Sequence, residues 1–479
     1  MRRNGKESGT VMAGGGRMDP AAALARLRDR LTGEGGLGRR AARAGLWGAA
    51  ELGASNLLRL LSNLIMTRLL VPEAFGLMAM VAVVHTALVM FTDLGIHTSV
   101  VRSPRGDDPR FLQVAWTAQT LRSLALAALV VAAAGALALL APRFAPPDSV
   151  YADPVLPGLI AVSSLLIVLK GLESTNVWLA DRRLQLDRLA KVNLTGQVAG
   201  LLAMIGLAWI HPTVWSLLWG GLIGGLATTL LTHVAFDGPR MRVAWDRDIA
   251  DELWRFGRNI LASSALGFVA NYADRVYMGG LLDVSTFGFF VIAMTWTLVF
   301  VILVEKLSNQ IGLATLSEVM RERPHEVARL YGRFSLAIDA ICVAAFFACI
   351  IGGPLLIHML YPPEYAASAA FVPLLAVGIL PWRFMPLVGL LLSRGDSGAL
   401  LYFTLIRAIA IVIALPLGNL AFGPAGAILA SSLATVCGAP FLIRRSRDII
   451  GPAAARREAI WIGICLAAAG PMLLLYELG

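Results

Sequence analysis

The chain has 479 residues, of which 57% are hydrophobic and 15% charged, with a mean hydropathy of +0.71. Soluble domains carry about 25% charged residues, so this chain lacks the charge to coat a water-exposed surface, and lipid must be its main solvent. The net charge of +10 does not point to nucleic acid, because the basic residues recur in short loops between apolar runs.

In chain order, residues 1–43 are rich in Gly and Arg, hold no apolar run of signal-peptide length, and contain one amphipathic stretch at 19–31. They are expected to form a cytoplasmic tail that touches the membrane surface. Apolar runs of spanning length, about 20 residues each, follow at 44–70, 75–97, 111–140, 154–178, 189–210 and 212–236. A polar connector occupies 237–255, and further runs lie at 256–280, 284–304, 327–360, 366–392, 398–421, 423–443 and 458–476. The predicted fold is therefore all-α and polytopic, with about thirteen transmembrane helices. It divides into a six-helix lobe at 44–236, the connector at 237–255, a second six-helix lobe at 256–443, and a basic loop with one additional helix at 444–479.

Alternate loops are rich in arginine: Arg102, Arg105 and Arg110; Arg182, Arg183 and Arg188; Arg240, Arg242 and Arg247; Arg321, Arg323 and Arg329; Arg394; and Arg444, Arg445 and Arg447. Basic residues resist translocation, so this side is expected to be cytoplasmic, with the N-terminus. A repeat accompanies the alternation. Leu69-Leu70 precedes Phe75-Gly76 by the same spacing with which Leu281-Leu282 precedes Phe287-Gly288, an offset of 212 residues. That offset equals six predicted helices, so both copies run the same way across the membrane, as in transporters built from parallel repeats.

Charged side chains at membrane depth are costly and tend to face a bundle interior or a wet cavity. The cations at depth are Arg59, Arg122, Lys170, Arg275, Arg383 and Arg407, and the acids within the helices are Glu51, Asp93, Glu173, Asp274 and Asp339. The cation excess favours an anionic cargo, since a guanidinium grips phosphate oxygens in pairs. Asn63, Gln119, Asn271 and Tyr272 are candidates to line the same cavity and bond sugar hydroxyls. Asp93, Asp274 and Asp339 are candidate couplers of Na⁺ or H⁺, whereas Glu51, Asp93 and Asp339 also sit where they can face headgroups or loop arginines. Glu305 and Lys306 are expected to snorkel to the interface, and Trp215, Trp219, Trp382 and Trp461 to anchor there. Pro373, Pro381, Pro386 and Pro416 predict kinks.

The four cysteines fall inside apolar runs, and neither they nor the six histidines have metal-ligand spacing, so no metal or cofactor is expected. P-loop, G-x-S-x-G and H-E-x-x-H motifs are lacking, which argues against ATP-driven transport and the common hydrolases. A glycan polymerase or ligase needs a substantial outer loop, and the longest here, between the third and fourth runs, is short.

Four stretches resemble the bacterial polysaccharide flippases, the Wzx-type branch of the multidrug/oligosaccharidyl-lipid/polysaccharide exporter superfamily. They are TRLLVPEAFG at 67–76 followed by Asp93-Leu94-Gly95; DRRLQLDRLAKV at 181–192; 256–280 with Asn271, Asp274 and Arg275, leading into Thr286-Phe287-Gly288; and LLIHMLYPPEYAASAA at 355–370. The resemblance implies two six-helix lobes around a cavity open alternately to each side. It also implies a non-enzymatic flippase for a lipid-linked oligosaccharide on undecaprenyl pyrophosphate, moved to the periplasmic leaflet. Expected partners are that cargo, membrane lipids and other polysaccharide-assembly membrane proteins. The alternative in transport is a drug or cation extruder of the same superfamily, which requires an acidic or aromatic cavity.

Overall fold

A computed structural model describes residues 37–478 except 93 and 94; the stretch at 19–31 and Asp93 lie outside the described residues. In the first half of the chain the α-helices are α1 (Leu37–Met66), α2 (Pro72–Met90), α3 (Ile96–Arg102), α4 (Pro109–Phe144), α5 (Leu156–Leu172), α6 (Asn176–Arg182), α7 (Leu186–Ile210) and α8 (Val214–Val234). The second half begins with α9 (Arg247–Leu281), α10 (Val284–Lys306) and α11 (Leu313–Glu322), the last two joined by a π turn. It continues with α12 (Val327–Phe347), α13 (Gly353–Leu360), α14 (Ser368–Ala376), α15 (Met385–Ser393), α16 (Ser397–Leu433), α17 (Ala439–Ala467) and α18 (Ala469–Leu478). Among the described residues there is no strand.

Aspartates start several of these helices. Asp108 accepts from the Arg110 N–H, Asp246 from Asp248 and Ile249, Asp283 from Thr286, and Asp396 from Ala399, each satisfying amides that the helix itself leaves unpaired. The connector differs from expectation here. Its last residues are not a linker but the opening turns of α9, because Asp246 caps them and Ile249 and Leu253 share one face. That face packs on Ile96, Val100, Phe111, Leu112 and Leu179 of the first half.

Eight described helical runs are long and apolar enough to cross a membrane, or nine if α5 and α6, bent by 59° at their break, form one span. The expected count was thirteen, and two physical reasons account for the gap. Charged residues dilute α1 and α9, and 397–476 forms one 80-residue run. At 1.5 Å per residue that run would measure about 120 Å if straight, some four bilayer cores. It is folded instead, broken at Gly423 (φ 62°) and Gly451 (φ 78°), where a side chain would be strained. Pro381 lies inside the 3-10 segment Val377–Phe384, which joins α14 to α15, and Pro386 opens α15.

The two halves meet along α2, α9 and α10, and they meet at equivalent residues. A Cβ on Gly76 would lie 2.5 Å from the Val284 carbonyl oxygen, and a Cβ on Gly288 would lie 2.2 Å from that of Pro72. Gly76 with Gly288, and Pro72 with Val284, are both related by the 212-residue offset read from the sequence. Reciprocal contact of this kind is what a two-fold relation produces. Glu73 accepts a hydrogen bond from Ser285, again its equivalent 212 residues on. Alongside, the Tyr365 hydroxyl donates to the Leu70 carbonyl (2.6 Å) and the Tyr151 hydroxyl to that of Val276 (2.8 Å), each crossing to the other half.

Candidate functional site

In the second half, α9, α10, α16 and the 3-10 segment before α15 enclose a cavity of about 470 Å³. Its walls bring together Asn271, Tyr272, Asp274, Arg275, Glu305 and Arg407, together with Trp382 and the hydroxyl residues Thr297, Ser431, Ser432 and Thr435. Arg407 projects from the middle of α16, almost wholly buried. One of its terminal nitrogens donates to the Ala270 carbonyl (2.8 Å) and to the Asn271 side-chain oxygen. Both bonds leave from that single nitrogen, so the rest of the fork is uncommitted among the described residues. Its guanidinium lies 5.7 Å from the Trp382 ring centroid. Arg275 donates to the Asn271 carbonyl (2.5 Å), covers the Tyr272 ring at 4.8 Å, and stands 3.6 Å from Asp274. The Asp274 Oδ1 is buried without a hydrogen-bond partner.

The first half holds a second cavity, of about 500 Å³, lined among others by His85, His97, Gln119, Arg122, Lys170 and Glu173. Two of these polar groups, Gln119 and Arg122, serve the helix breaks beside it, with Thr120, Trp116 and His233 from outside its lining. Between α5 and α6 the carbonyls of Lys170, Gly171 and Leu172 lose helical partners. Gln119 donates to the first two (3.0 and 2.9 Å), Thr120 to Gly171 (3.0 Å), Trp116 to Leu172 (3.3 Å), and His233 contacts Leu172 (2.8 Å). Arg122 does the same at the end of α2, donating to the carbonyls of Thr92 (2.7 Å) and Val89 (3.1 Å). Lys170 pairs with Glu173 at 2.7 Å, and His97 with Asp181 at 3.1 Å.

The remaining candidates lie elsewhere. Arg383 is fully buried; it donates to Asp339 (2.6 Å) and to Glu458, and sits between the rings of Phe384 (4.9 Å) and Trp461 (5.0 Å). Glu458 also accepts from the Tyr331 hydroxyl at 2.8 Å. This closed cage ties α12, the segment before α15 and α17 together, so neither Arg383 nor Asp339 reaches a cavity. Asp339 therefore pairs with a deep arginine, not with a loop arginine or headgroups. Arg59 is exposed beside Ser62, Gln197 and Thr228 in a shallow hollow. Asn63 belongs to the seam between the halves, where it accepts from Tyr361 (2.7 Å), itself the acceptor from Trp296 (3.2 Å). Glu51 accepts from Asn193 (2.7 Å).

Glu305 and Trp382 line the second-half cavity, and Trp461 covers Arg383. Cys437 is exposed, whereas the other three cysteines are buried. Glu458 carried no signal, since it falls at the edge of a basic loop, and the hydroxyls of the second-half cavity were lost among apolar residues. The deep cations also do not stand alone: in each cavity two of them share the walls with two carboxylates among the described residues.

Together the apolar helices and these cavities define a multi-pass membrane protein with the fold of the MOP-superfamily transporters. The fold is shared with an inward-facing multidrug-resistance MATE-family transporter (TM-score 0.63, 15% identity, 82% of this chain and 95% of that one). It is also shared with the lipid II flippase MurJ in an inward closed conformation (0.66, 12%, 90% and 98%). A MOP-superfamily transporter from Pyrococcus furiosus, described as having a binding pocket of reversed polarity, is similar as well (0.56, 14%, 85% and 96%). The chain belongs to the polysaccharide biosynthesis protein family, whose profile matches residues 65–370. No curated protein matches the sequence.

Proposed function

We propose that this protein is a flippase that carries a lipid-linked oligosaccharide, held by its pyrophosphate, from the cytoplasmic to the periplasmic leaflet of a bacterial inner membrane. One observation carries the reading: the second-half cavity joins two arginines, Arg275 and Arg407, to four hydroxyl side chains. The arginines supply planar forks for phosphate oxygens, and the hydroxyls with Asn271 supply donors and acceptors for sugars. Membership of a polysaccharide biosynthesis family supports the cargo class. The N-terminus and the Arg-rich loops face the cytoplasm in this reading, and the two six-helix lobes at 44–236 and 256–443 rock about the seam of Gly76 and Gly288.

Asp274 is the coupling group we assign for H⁺ or Na⁺. Its buried Oδ1 accepts no hydrogen bond and faces Arg275 at 3.6 Å, so a bound cation would release Arg275 toward an anionic cargo. Asp339 is already committed to Arg383. A second reading, export of organic cations, is favoured by the carboxylates Asp274 and Glu305 beside Tyr272 and Trp382. A deletion strain separates the two. Lipid-linked glycan accumulating on the cytoplasmic leaflet with loss of surface polysaccharide is the expected result; intact polysaccharide with raised drug sensitivity overturns the flippase reading for the exporter.

A further inference from the structure

A cavity of about 1220 Å³ lies on the Arg-rich face of the second half, away from the seam between the halves. It lies where the α15–α16 turn meets α17, just beyond the apolar parts of those helices. Arg394, Arg444, Arg445 and Arg447 line it, against two acids, Asp396 and Asp448. Both acids are committed: Asp448 accepts from Arg394 (2.6 Å) and Asp396 from Arg445 (2.7 Å). Arg444 and Arg447 make no hydrogen bond or ion pair among the described residues, so the hollow holds two uncompensated guanidinium groups.

The first half treats its loop arginines differently. Arg105 is tied to Glu252, Arg110 to Asp246, Arg182 and Arg183 to Asp107, and Arg188 to Asp237. Arg240 and Arg242 on the same face also make no side-chain ion pair among the described residues; what marks this hollow is that two such arginines, Arg444 and Arg447, line one cavity.

The wall of this cavity includes Phe441, whose ring lies 6.0 Å from that of Tyr402 on α16. From Tyr402 an apolar stripe runs along α16 through Leu405, Ile409 and Ile413, exposed by 57%, 39%, 52% and 54%. The spacings of three and four residues keep these on one helix face. A basic hollow at the membrane edge that opens onto an apolar stripe matches an amphiphile with a phosphate head and a hydrocarbon tail. A soluble phosphate would use the first part only.

We propose that this hollow is a binding site for the phosphate headgroup of a membrane lipid, held by Arg444 and Arg447, with the tail lying along the α16 stripe. Two sources share that chemistry, a resident anionic phospholipid and the diphosphate of a polyprenyl carrier. The site stands apart from the second-half cavity and does not depend on the cargo assigned to it.

The test is lipid retention by the full-length protein in detergent, read by native mass spectrometry. The probes are dioleoyl-phosphatidylglycerol, dioleoyl-phosphatidylcholine, undecaprenyl diphosphate and inorganic pyrophosphate. The wild type is expected to retain an anionic lipid over phosphatidylcholine, and Arg444→Gln/Arg447→Gln to lose roughly fivefold in that preference per arginine. Arg240→Gln/Arg242→Gln, which removes equal charge elsewhere on the same face, is expected to keep it. Preference for phosphatidylglycerol assigns the resident lipid, and preference for undecaprenyl diphosphate assigns the carrier. Equal retention by the two double variants overturns the site, and pyrophosphate competing as well as either lipid overturns the role of the stripe. Transport is not read in this assay, so its outcome is separate from that of the flippase reading.

Discussion

The two cavities are alike in size and in formal charge, yet their polar groups serve different ends. In the first half, Gln119, Thr120, Trp116, His233 and Arg122 are consumed by carbonyls that the ends of α2 and α5 leave without helical partners. In the second half, the α9 carbonyls that Arg275 and Arg407 touch are those of Ala270 and Asn271, well inside a helix. The lesson is that a cation beside a helix break is taken up by the carbonyls freed there, whereas Arg275 and Arg407 lie beside a whole helix, which is why the proposed reading gives the ligand role to them. Arg383 is a third case, in which carboxylates rather than carbonyls consume the charge.

The comparison is most severely tested at Arg383. Removing one member of a buried ion pair costs about 3–5 kcal/mol, so Arg383→Leu is expected to lower the thermal unfolding midpoint in detergent sharply and to reduce the folded yield. An unchanged midpoint would mean that the cage does not hold α17 to α12. Next come the cavity arginines. Arg407→Ala and Arg275→Ala each remove a charged hydrogen-bonding group worth about 1.5–3 kcal/mol, which corresponds to roughly a 10- to 150-fold loss in transport with a far smaller change in midpoint. Reconstituted flipping assays at matched protein amounts measure this.

In the first half the pattern should invert. Gln119→Ala and Arg122→Ala each remove hydrogen bonds to carbonyls at helix ends, worth about 0.5–1.5 kcal/mol for the neutral amide and about 1.5–3 kcal/mol for the guanidinium, and transport per folded molecule should stay close to wild type. Loss of transport without loss of midpoint at Arg122 would make that cavity a ligand site as well. The smallest effect concerns the loops. The Ile249 N–H, with Arg110 as a further partner, holds the Asp246 carboxyl below the usual carboxylate range, and Arg445 followed by the Ala399 N–H does so for Asp396. Groups with depressed folded values stabilise above their unfolded value of about 3.9, and that stability is lost as the pH falls through the lower folded value. Unfolding midpoints of Asp246→Asn and Asp396→Asn should accordingly fall less than wild type on acidification through that window.

The fold was legible from the sequence because its signals are local. Apolar length marks helices, loop arginines mark one face, and the Leu-Leu-x4-Phe-Gly repeat marks two equivalent halves, although not that its residues meet at the seam. Arg275, Arg407, Asn271 and Tyr272 were four of ten cavity candidates and Asp274 a candidate coupler; the structure brings these five to one cavity and places the others elsewhere. What could not be read was the division of labour among the cations. Whether Arg122 and Arg383 face a ligand depends on carbonyls and carboxylates from other helices, which no single segment encodes. That Glu305 and Trp382 line a cavity could not be read either, because position along a helix gives depth, not the direction in which a side chain points.

The seam of Gly76 and Gly288 also sets a number for opening on its own face. Four described hydrogen bonds cross it, from Ser285 to Glu73, Tyr151 to Val276, Tyr365 to Leu70 and Tyr361 to Asn63. At about 0.5–1.5 kcal/mol each they hold the closed arrangement by about 2–6 kcal/mol. Near the middle of that range, these bonds alone bias the seam toward the closed form by about a thousandfold in the alternating-access reading proposed above. A cargo reverses that ratio only if it binds the opened form better by more than the same factor, so the seam sets how selective the cavity must be.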